Sequence, residues 1–176
     1  MFLKYFIPNK FVESIYQIDI SALKKQGVKG VITDLDNTLM EADSPNYSPK
    51  LVKWLDDLQE IGFSVIILSN NTKTRIEPVA KALTVPFIDK AQKPRRSGFV
   101  RALSYLKLQP HEVVVIGDQL LTDVLGGNRM GIYTILVVPI SQHEGFFTKI
   151  NRQIERIIWK QLHKKNLIPW EDNDGK

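Results

Sequence analysis

From residue 28 onward, short apolar runs alternate with longer stretches whose apolar positions recur at helical spacing. Short runs rich in Val and Ile read as buried strands, and apolar residues repeating at i, i+3 and i+4 read as amphipathic helices. The pattern predicts strands at 28–35, 63–68, 85–88, 113–116 and 133–138, with helices at 48–61, 74–83, 97–108 and 120–129 between them. The first helix carries Pro49 in its opening turn, puts Leu51, Trp54, Leu55 and Leu58 on one face, and stops at Gly62. In the second, Pro78 is expected in the first turn; in the third, Val100, Leu103, Leu106 and Leu108 are expected inward. This alternation predicts an α/β fold with a five-stranded, mostly parallel sheet covered by helices on both faces. Residues 1–27 are expected as a lead segment packing on the domain, 28–165 as the catalytic domain, and 166–176 as a tail, disordered from Glu171.

The chain has 176 residues, 43% hydrophobic and 24% charged, which suits one soluble domain with a real core. It contains no cysteine, so disulfides, thiolate metal sites and Cys nucleophiles are excluded. No stretch approaches the length of apolar sequence that spans a bilayer. The opening residues from Met1 to Pro8 are apolar but interrupted by Lys4, and resemble neither a secretory signal nor an Arg-rich import leader. Cytoplasmic residence is therefore expected. The formal charge of +5 suits anionic substrates or acidic lipid surfaces as well as plain solubility.

The chemistry gathers at strand ends. The first strand runs into Asp34-Leu35-Asp36-Asn37-Thr38, two carboxylates one residue apart that repel unless a cation or a shared proton intervenes. The second ends in Ser69-Asn70-Asn71, the third is followed by Lys93-Pro94, and the fourth ends in Gly117-Asp118 with Asp123 beyond it. Each has an innocent explanation as a turn, a cap or a solvated charge. Together they fall at the carboxyl ends of different strands, where open α/β sheets place their ligand crevice. Metal ligands, a nucleophile, a hydroxyl and a cation form the inventory of phosphoryl transfer.

In order and spacing this set resembles the four motifs of the haloacid dehalogenase (HAD) superfamily, over residues 28 to about 138. The resemblance implies a Rossmann-like HAD fold and a Mg²⁺-dependent phosphatase. It implies Asp34 as the nucleophile that forms an aspartyl-phosphate, Asp36 as acid and base, and Lys93 as the cation offsetting transition-state charge. It further implies Thr38 and Ser69, with the neighbouring Asn70, as substrate-binding groups. The Mg²⁺ ligands it implies are Asp34, the backbone carbonyl of Asp36, and Asp118, with Asp123 direct or through water. Within the superfamily the chain looks most like the YqeG-type group, similar to the mitochondrial phosphatidylglycerophosphate phosphatases. That likeness implies phosphatidylglycerophosphate as substrate and phosphatidylglycerol as product.

Between Thr38 and Ser69, and again between Asn70 and Lys93, the predicted elements leave no room for an inserted cap domain. An uncapped site admits a bulky substrate such as a lipid head group. The last helix, at 146–165, places Phe147, Ile150, Ile154, Ile157, Ile158 and Leu162 on one face. Lys149, Arg152, Arg156, Lys160 and Lys164 line the other, with Trp159 near the boundary and Trp170 beyond the end. Two readings stay open: the apolar face packs on the sheet, or the helix lies at an anionic membrane on its inner side as a peripheral contact. Competing functions are a phosphatase for a soluble nucleotide, sugar or protein phosphate, and a non-enzymatic phospho-receiver or binding module. Nucleic acid is not expected as a partner, because the basic residues lack interleaved aromatics.

Overall fold

In the computed structural model the described residues are 2–42, 44–141 and 146–167, with the backbone alone for 146–150. Strands β1 (Lys10–Val12), β2 (Gly30–Thr33), β3 (Ser64–Leu68), β4 (Phe87–Ile88), β5 (Val113–Gly117) and β6 (Tyr133–Val137) form one sheet in the order β1-β6-β5-β2-β3-β4. Every pairing is parallel. The sheet therefore has six strands, not five. The extra one comes from the N-terminal segment, whose Lys10 to Val12 pair with Ile135 to Val137 at the β6 edge. Three residues were too short a run to stand out as a strand in the sequence.

The helices are α1 (Ile20–Lys25), α2 (Pro49–Glu60), α3 (Lys73–Ala82), α4 (Arg96–Leu106), α5 (Leu125–Arg129) and α6 (Phe146–Lys164). Strand alternation separates two apolar layers. Val31, Val65, Ile67, Val114 and Ile116 pack with α2 and α3, while Ile32, Ile66, Leu68, Val113 and Val115 pack with α4. Burial on both faces explains why these strands read as unbroken apolar runs. Helix α2 starts where Ser48 accepts the Leu51 N–H at 3.1 Å and Pro49 fills the first turn. It ends before Gly62, whose φ of 92° suits a residue without a Cβ.

Several local expectations need correction. Helix α3 begins at Lys73 behind Thr72, so Pro78 lies inside it and not in the first turn, leaving one carbonyl without its helical N–H. Val100 is 49% exposed, because α4 turns Gly98, Phe99 and Ala102 inward. A Cβ on Gly98 would lie 2.7 Å from the Ala91 carbonyl oxygen, so this face approaches the preceding loop closely. The expected helix at 120–129 is a π-turn, Leu120–Val124, running into the short α5. The Gln119 carbonyl accepts from both Asp123 and Val124.

Helix α6 buries only part of the face that its periodicity groups as apolar. Ile154 and Ile157 are exposed, whereas Glu155 and Leu162 are buried and Ile158 is partly buried. Leu162 packs with Phe6 and Leu125, so α6 and the N-terminal segment share one small core. Arg152, expected on the outer face, turns inward instead. The side chains of Phe147, Lys149 and Ile150, together with Trp170 and the tail from Glu171, lie outside the described residues. Among the described residues no helix is long and apolar enough to cross a membrane.

Candidate active site

The central strands β5, β2 and β3 end level with one another: Thr33 pairs with Ile116 on one side and Ile67 on the other. Residues just beyond these ends therefore converge. Strand β2 is also where the chain order reverses, β3 lying on one side and β5 on the other, which is the crevice position of open α/β sheets. Asp34 follows β2, Ser69 follows β3, and Asp118 follows β5.

The carboxylates of Asp34, Asp118 and Asp123 offer oxygens all within 4.8 Å of one another, and all three residues are buried. The Lys93 ammonium sits among them, donating to Asp34 Oδ1 and to Asp123 Oδ1 at 2.7 Å each. Its side chain is only 3% exposed. The Lys93 loop is held by Asn70, whose Oδ1 accepts the Lys93 N–H at 2.7 Å and whose amide donates to the Lys93 carbonyl at 3.1 Å. Asn70 thus holds the lysine loop through both ends of its carboxamide. The Ser69 hydroxyl is buried and accepts the Asn71 N–H at 3.1 Å. Thr38 donates to Asp118 Oδ1 at 3.1 Å.

Asp123 reaches the cluster because the π-turn widens the helix start, and because residue 117 is glycine. A Cβ at Gly117 would lie 2.2 Å from the Asp123 carboxyl carbon. The Thr122 hydroxyl and the Gln119 N–H both donate to Asp123 Oδ2, at 3.2 and 3.3 Å. π-Turns of this kind recur at functional sites because they redirect side chains out of helical register.

Asp36 stands apart from the buried trio. Its carboxylate accepts from Arg75 Nε at 3.1 Å and Arg75 NH2 at 2.6 Å, both on Oδ1, and from the Asn71 amide at 3.1 Å on Oδ2. At 18% side-chain exposure it lies on the open side of the site. Asn37, with φ of 63°, bends the chain here and accepts from Ser141.

Arg152 of α6 completes the constellation. It donates to the Asp118 carbonyl at 2.6 Å, to the Asp118 carboxylate, and to Glu155 Oε2 at 3.0 Å. Glu155 in turn accepts the Leu121 N–H at 3.1 Å, and burial pushes its carboxyl up.

Burial dominates the electrostatics. It raises Asp34 to about 6, against the opposing pull of Lys93 and with help from Asp123. It raises Asp118 to about 8, reinforced by Asp34 and opposed by Arg152. Desolvation works against the Lys93 charge, yet Asp123 and Asp34 outweigh it and hold Lys93 above its usual range. Four buried carboxyl groups, Glu155 included, against the two cations Lys93 and Arg152 leave the cluster short of positive charge. An all-oxygen donor set with that deficit fits a hard divalent cation.

Sequence reading overlooked three groups. Arg75 was only a residue of an amphipathic helix, Asn71 only part of a turn, and Arg152 one of several basic residues on an outer face. The one available signal was position: Arg75 lies in the first turn of the helix that leaves the β3 end, beside the other strand ends.

A parallel α/β sheet carrying this trio and its lysine at the strand ends is the arrangement of a HAD-type phosphatase, a phosphoric monoester hydrolase. The phosphatase fold has solved counterparts. The 3-deoxy-D-manno-octulosonate 8-phosphate phosphatase from Yersinia pestis superposes with a TM-score of 0.52 at 14% identity, covering 69% of this chain and 78% of that one. The chain belongs to the mitochondrial PGP phosphatase family, whose sequence model matches residues 3–141. It is 49% identical over 172 residues to the "Probable phosphatase YqeG" of Bacillus subtilis (strain 168), covering 98% of this chain and all of that one. It is 27% identical over 176 residues to the "Phosphatidylglycerophosphate phosphatase 1, chloroplastic/mitochondrial" of Arabidopsis thaliana, covering 94% of this chain but about half, 51%, of that protein.

Proposed function

We propose that the chain is a Mg²⁺-dependent phosphatase that removes the terminal phosphate of phosphatidylglycerophosphate, using Asp34 as nucleophile. The observation that carries the reading is the Lys93 ammonium placed 2.7 Å from the Asp34 carboxylate inside a buried acidic trio. A Mg²⁺ ion held by Asp34, Asp118 and Asp123, with the Asp36 carbonyl, would supply the charge that lets an anionic phosphate approach these carboxylates.

The residues divide the work. Asp34 attacks phosphorus, forming a P–O bond to its carboxylate as the bond to the leaving oxygen breaks. Asp36 gives a proton to that oxygen, which departs as an alcohol. Water then attacks the aspartyl-phosphate while Asp36 takes its proton, restoring Asp34 and releasing inorganic phosphate. Lys93 fixes the Asp34 oxygen and offsets charge on the phosphoryl group. Asn70 and Ser69 position the turn and loop that surround it, and Thr38 aligns Asp118.

The lipid substrate is supported by the family to which the chain belongs and by its similarity to the phosphatidylglycerophosphate phosphatase of Arabidopsis thaliana. Peripheral contact with an anionic membrane at its inner face is supported by α6, which exposes Ile154 and Ile157 beside the exposed Arg156, Lys160 and Lys164. The deciding experiment is phosphate release from purified protein over a panel containing the lipid in mixed micelles and soluble nucleotide, sugar and phosphopeptide esters, with Mg²⁺ and with chelator. Preference for the lipid by at least an order of magnitude in kcat/KM is expected. A higher kcat/KM on a soluble ester would assign the enzyme to that substrate instead.

A further inference from the structure

Asp36 has to serve twice, first giving a proton and then taking one, and a carboxylate does so best from one defined oxygen. Its two oxygens are not equivalent here. Oδ1 receives two N–H groups from one edge of the Arg75 guanidinium, at 3.1 and 2.6 Å, and is the oxygen paired with that cation. Oδ2 receives one, from the Asn71 amide at 3.1 Å, and keeps an acceptor position open. Asn71 is itself locked, because its own carbonyl accepts the Thr72 N–H at 2.8 Å. Arg75 sits on the first turn of α3, is 15% exposed, and touches none of the buried trio.

We infer that Arg75 is a positioning residue for the reaction: it holds Asp36 Oδ1 through two N–H groups and leaves Oδ2 as the atom that exchanges the proton with the leaving oxygen and then with water. The inference rests on the proposed aspartyl-phosphate reading and deepens it. A guanidinium suits this contact because two of its N–H groups converge on the one oxygen from a rigid edge, whereas a lysine ammonium is a flexible point charge. In the first half-reaction the proton on Oδ2 passes to the leaving oxygen as the P–O bond breaks. In the second, a water proton passes to Oδ2 as the water oxygen bonds to phosphorus and the Asp34–phosphorus bond breaks.

The test compares wild type, Arg75→Lys and Arg75→Ala as full chains with Mg²⁺. A p-nitrophenyl leaving group needs little protonation, so loss of the grip falls mainly on the water step with this ester and on both steps with alkyl phosphates. With p-nitrophenyl phosphate, kcat in Arg75→Ala falls by about 10- to 100-fold. KM falls along with kcat, so that kcat/KM changes far less than kcat, and a pre-steady-state burst of p-nitrophenolate appears as phosphoenzyme accumulates. Alkyl phosphate turnover falls further than p-nitrophenyl phosphate turnover, and added guanidinium restores part of both. Arg75→Lys, which keeps a cation and guards against a folding defect, shows the same ordering with a smaller loss. Wild-type kcat in both variants, or a KM increase at unchanged kcat, overturns the inference. The underlying reading is checked separately: p-nitrophenyl phosphate turnover that survives Asp34→Asn sinks the aspartyl-phosphate route itself, whatever the Arg75 variants do.

Discussion

Arg152 and Asp118 meet across two elements, the guanidinium of α6 gripping both the carboxylate and the backbone carbonyl of the residue that follows β5. Asp118 is otherwise sealed, with no exposed side-chain surface, while Arg152 keeps 20%. The contact ties the last helix to the candidate metal site and places a protein cation against a carboxylate that a divalent ion would also contact.

Replacing Arg152 with alanine therefore acts on stability and on cation demand together. The metal-free protein loses up to about 3 kcal/mol, the lower end for breaking a buried pair, because Arg152 is partly solvated. The Mg²⁺-induced rise in Tm becomes larger than in wild type, since the ion then neutralises Asp118 with no competitor. Thermal melts in chelator and in Mg²⁺ measure both effects; an equal Mg²⁺ shift in the two proteins would show that Arg152 does not compete.

Lys93→Met removes the cation shared by Asp34 and Asp123 and leaves both carboxylates buried. Stability at neutral pH in chelator falls by about 3–5 kcal/mol. Part of it returns on acidification, as the buried carboxylates take up protons. Turnover is lost at every pH. Urea unfolding at two pH values, together with p-nitrophenyl phosphate assays, checks each part.

The raised carboxyls set the sign of a pH dependence. Asp34 at about 6 and Asp118 at about 8 hold protons in the folded chain that an unfolded chain, with ordinary carboxyls, has already released. Between about pH 4 and pH 8 the folded state thus binds more protons, and its stability falls as pH rises. Mg²⁺ needs ionised carboxylates, so its stabilising effect grows over the same window. Melting curves from pH 5 to 8.5 should diverge, chelated samples falling relative to Mg²⁺ samples. Parallel curves would contradict the burial of these groups.

Gly117→Ala forces a methyl group to within 2.2 Å of the Asp123 carboxyl carbon. Because the Asp123 Cβ would also lie only 2.4 Å away, rotating that side chain does not clear the methyl, and the Leu120–Val124 turn that carries Asp123 has to shift. The expected outcome is a folded protein with a reduced Mg²⁺ shift and kcat lower by about 10-fold or more, read by thermal melts and turnover. Unchanged activity would mean that Asp123 has room to retreat without loss.

Much of this protein was written into its local pattern. Runs buried on both faces could only be interior parallel strands, and Ser48-Pro49 and Gly62 mark the ends of α2 by their own stereochemistry. The four polar clusters were legible because strand ends carry chemistry in this architecture, so Asp34, Lys93, Asp118 and Asp123 could be singled out before any contact was known. What the local pattern could not hold was orientation across distance. Periodicity grouped Ile154 and Ile157 with Leu162 on one face of α6, but the fold turns Arg152 and Glu155 of that helix toward the site and leaves both isoleucines exposed. The π-turn at Leu120, the partnership of Arg75 with Asp36 and the edge pairing of Lys10 to Val12 depend on residues far apart in the chain. Helix and strand tendencies are carried by neighbours in sequence. Which polar groups meet in a buried site is decided by the whole packed sheet, where each charge must find a partner.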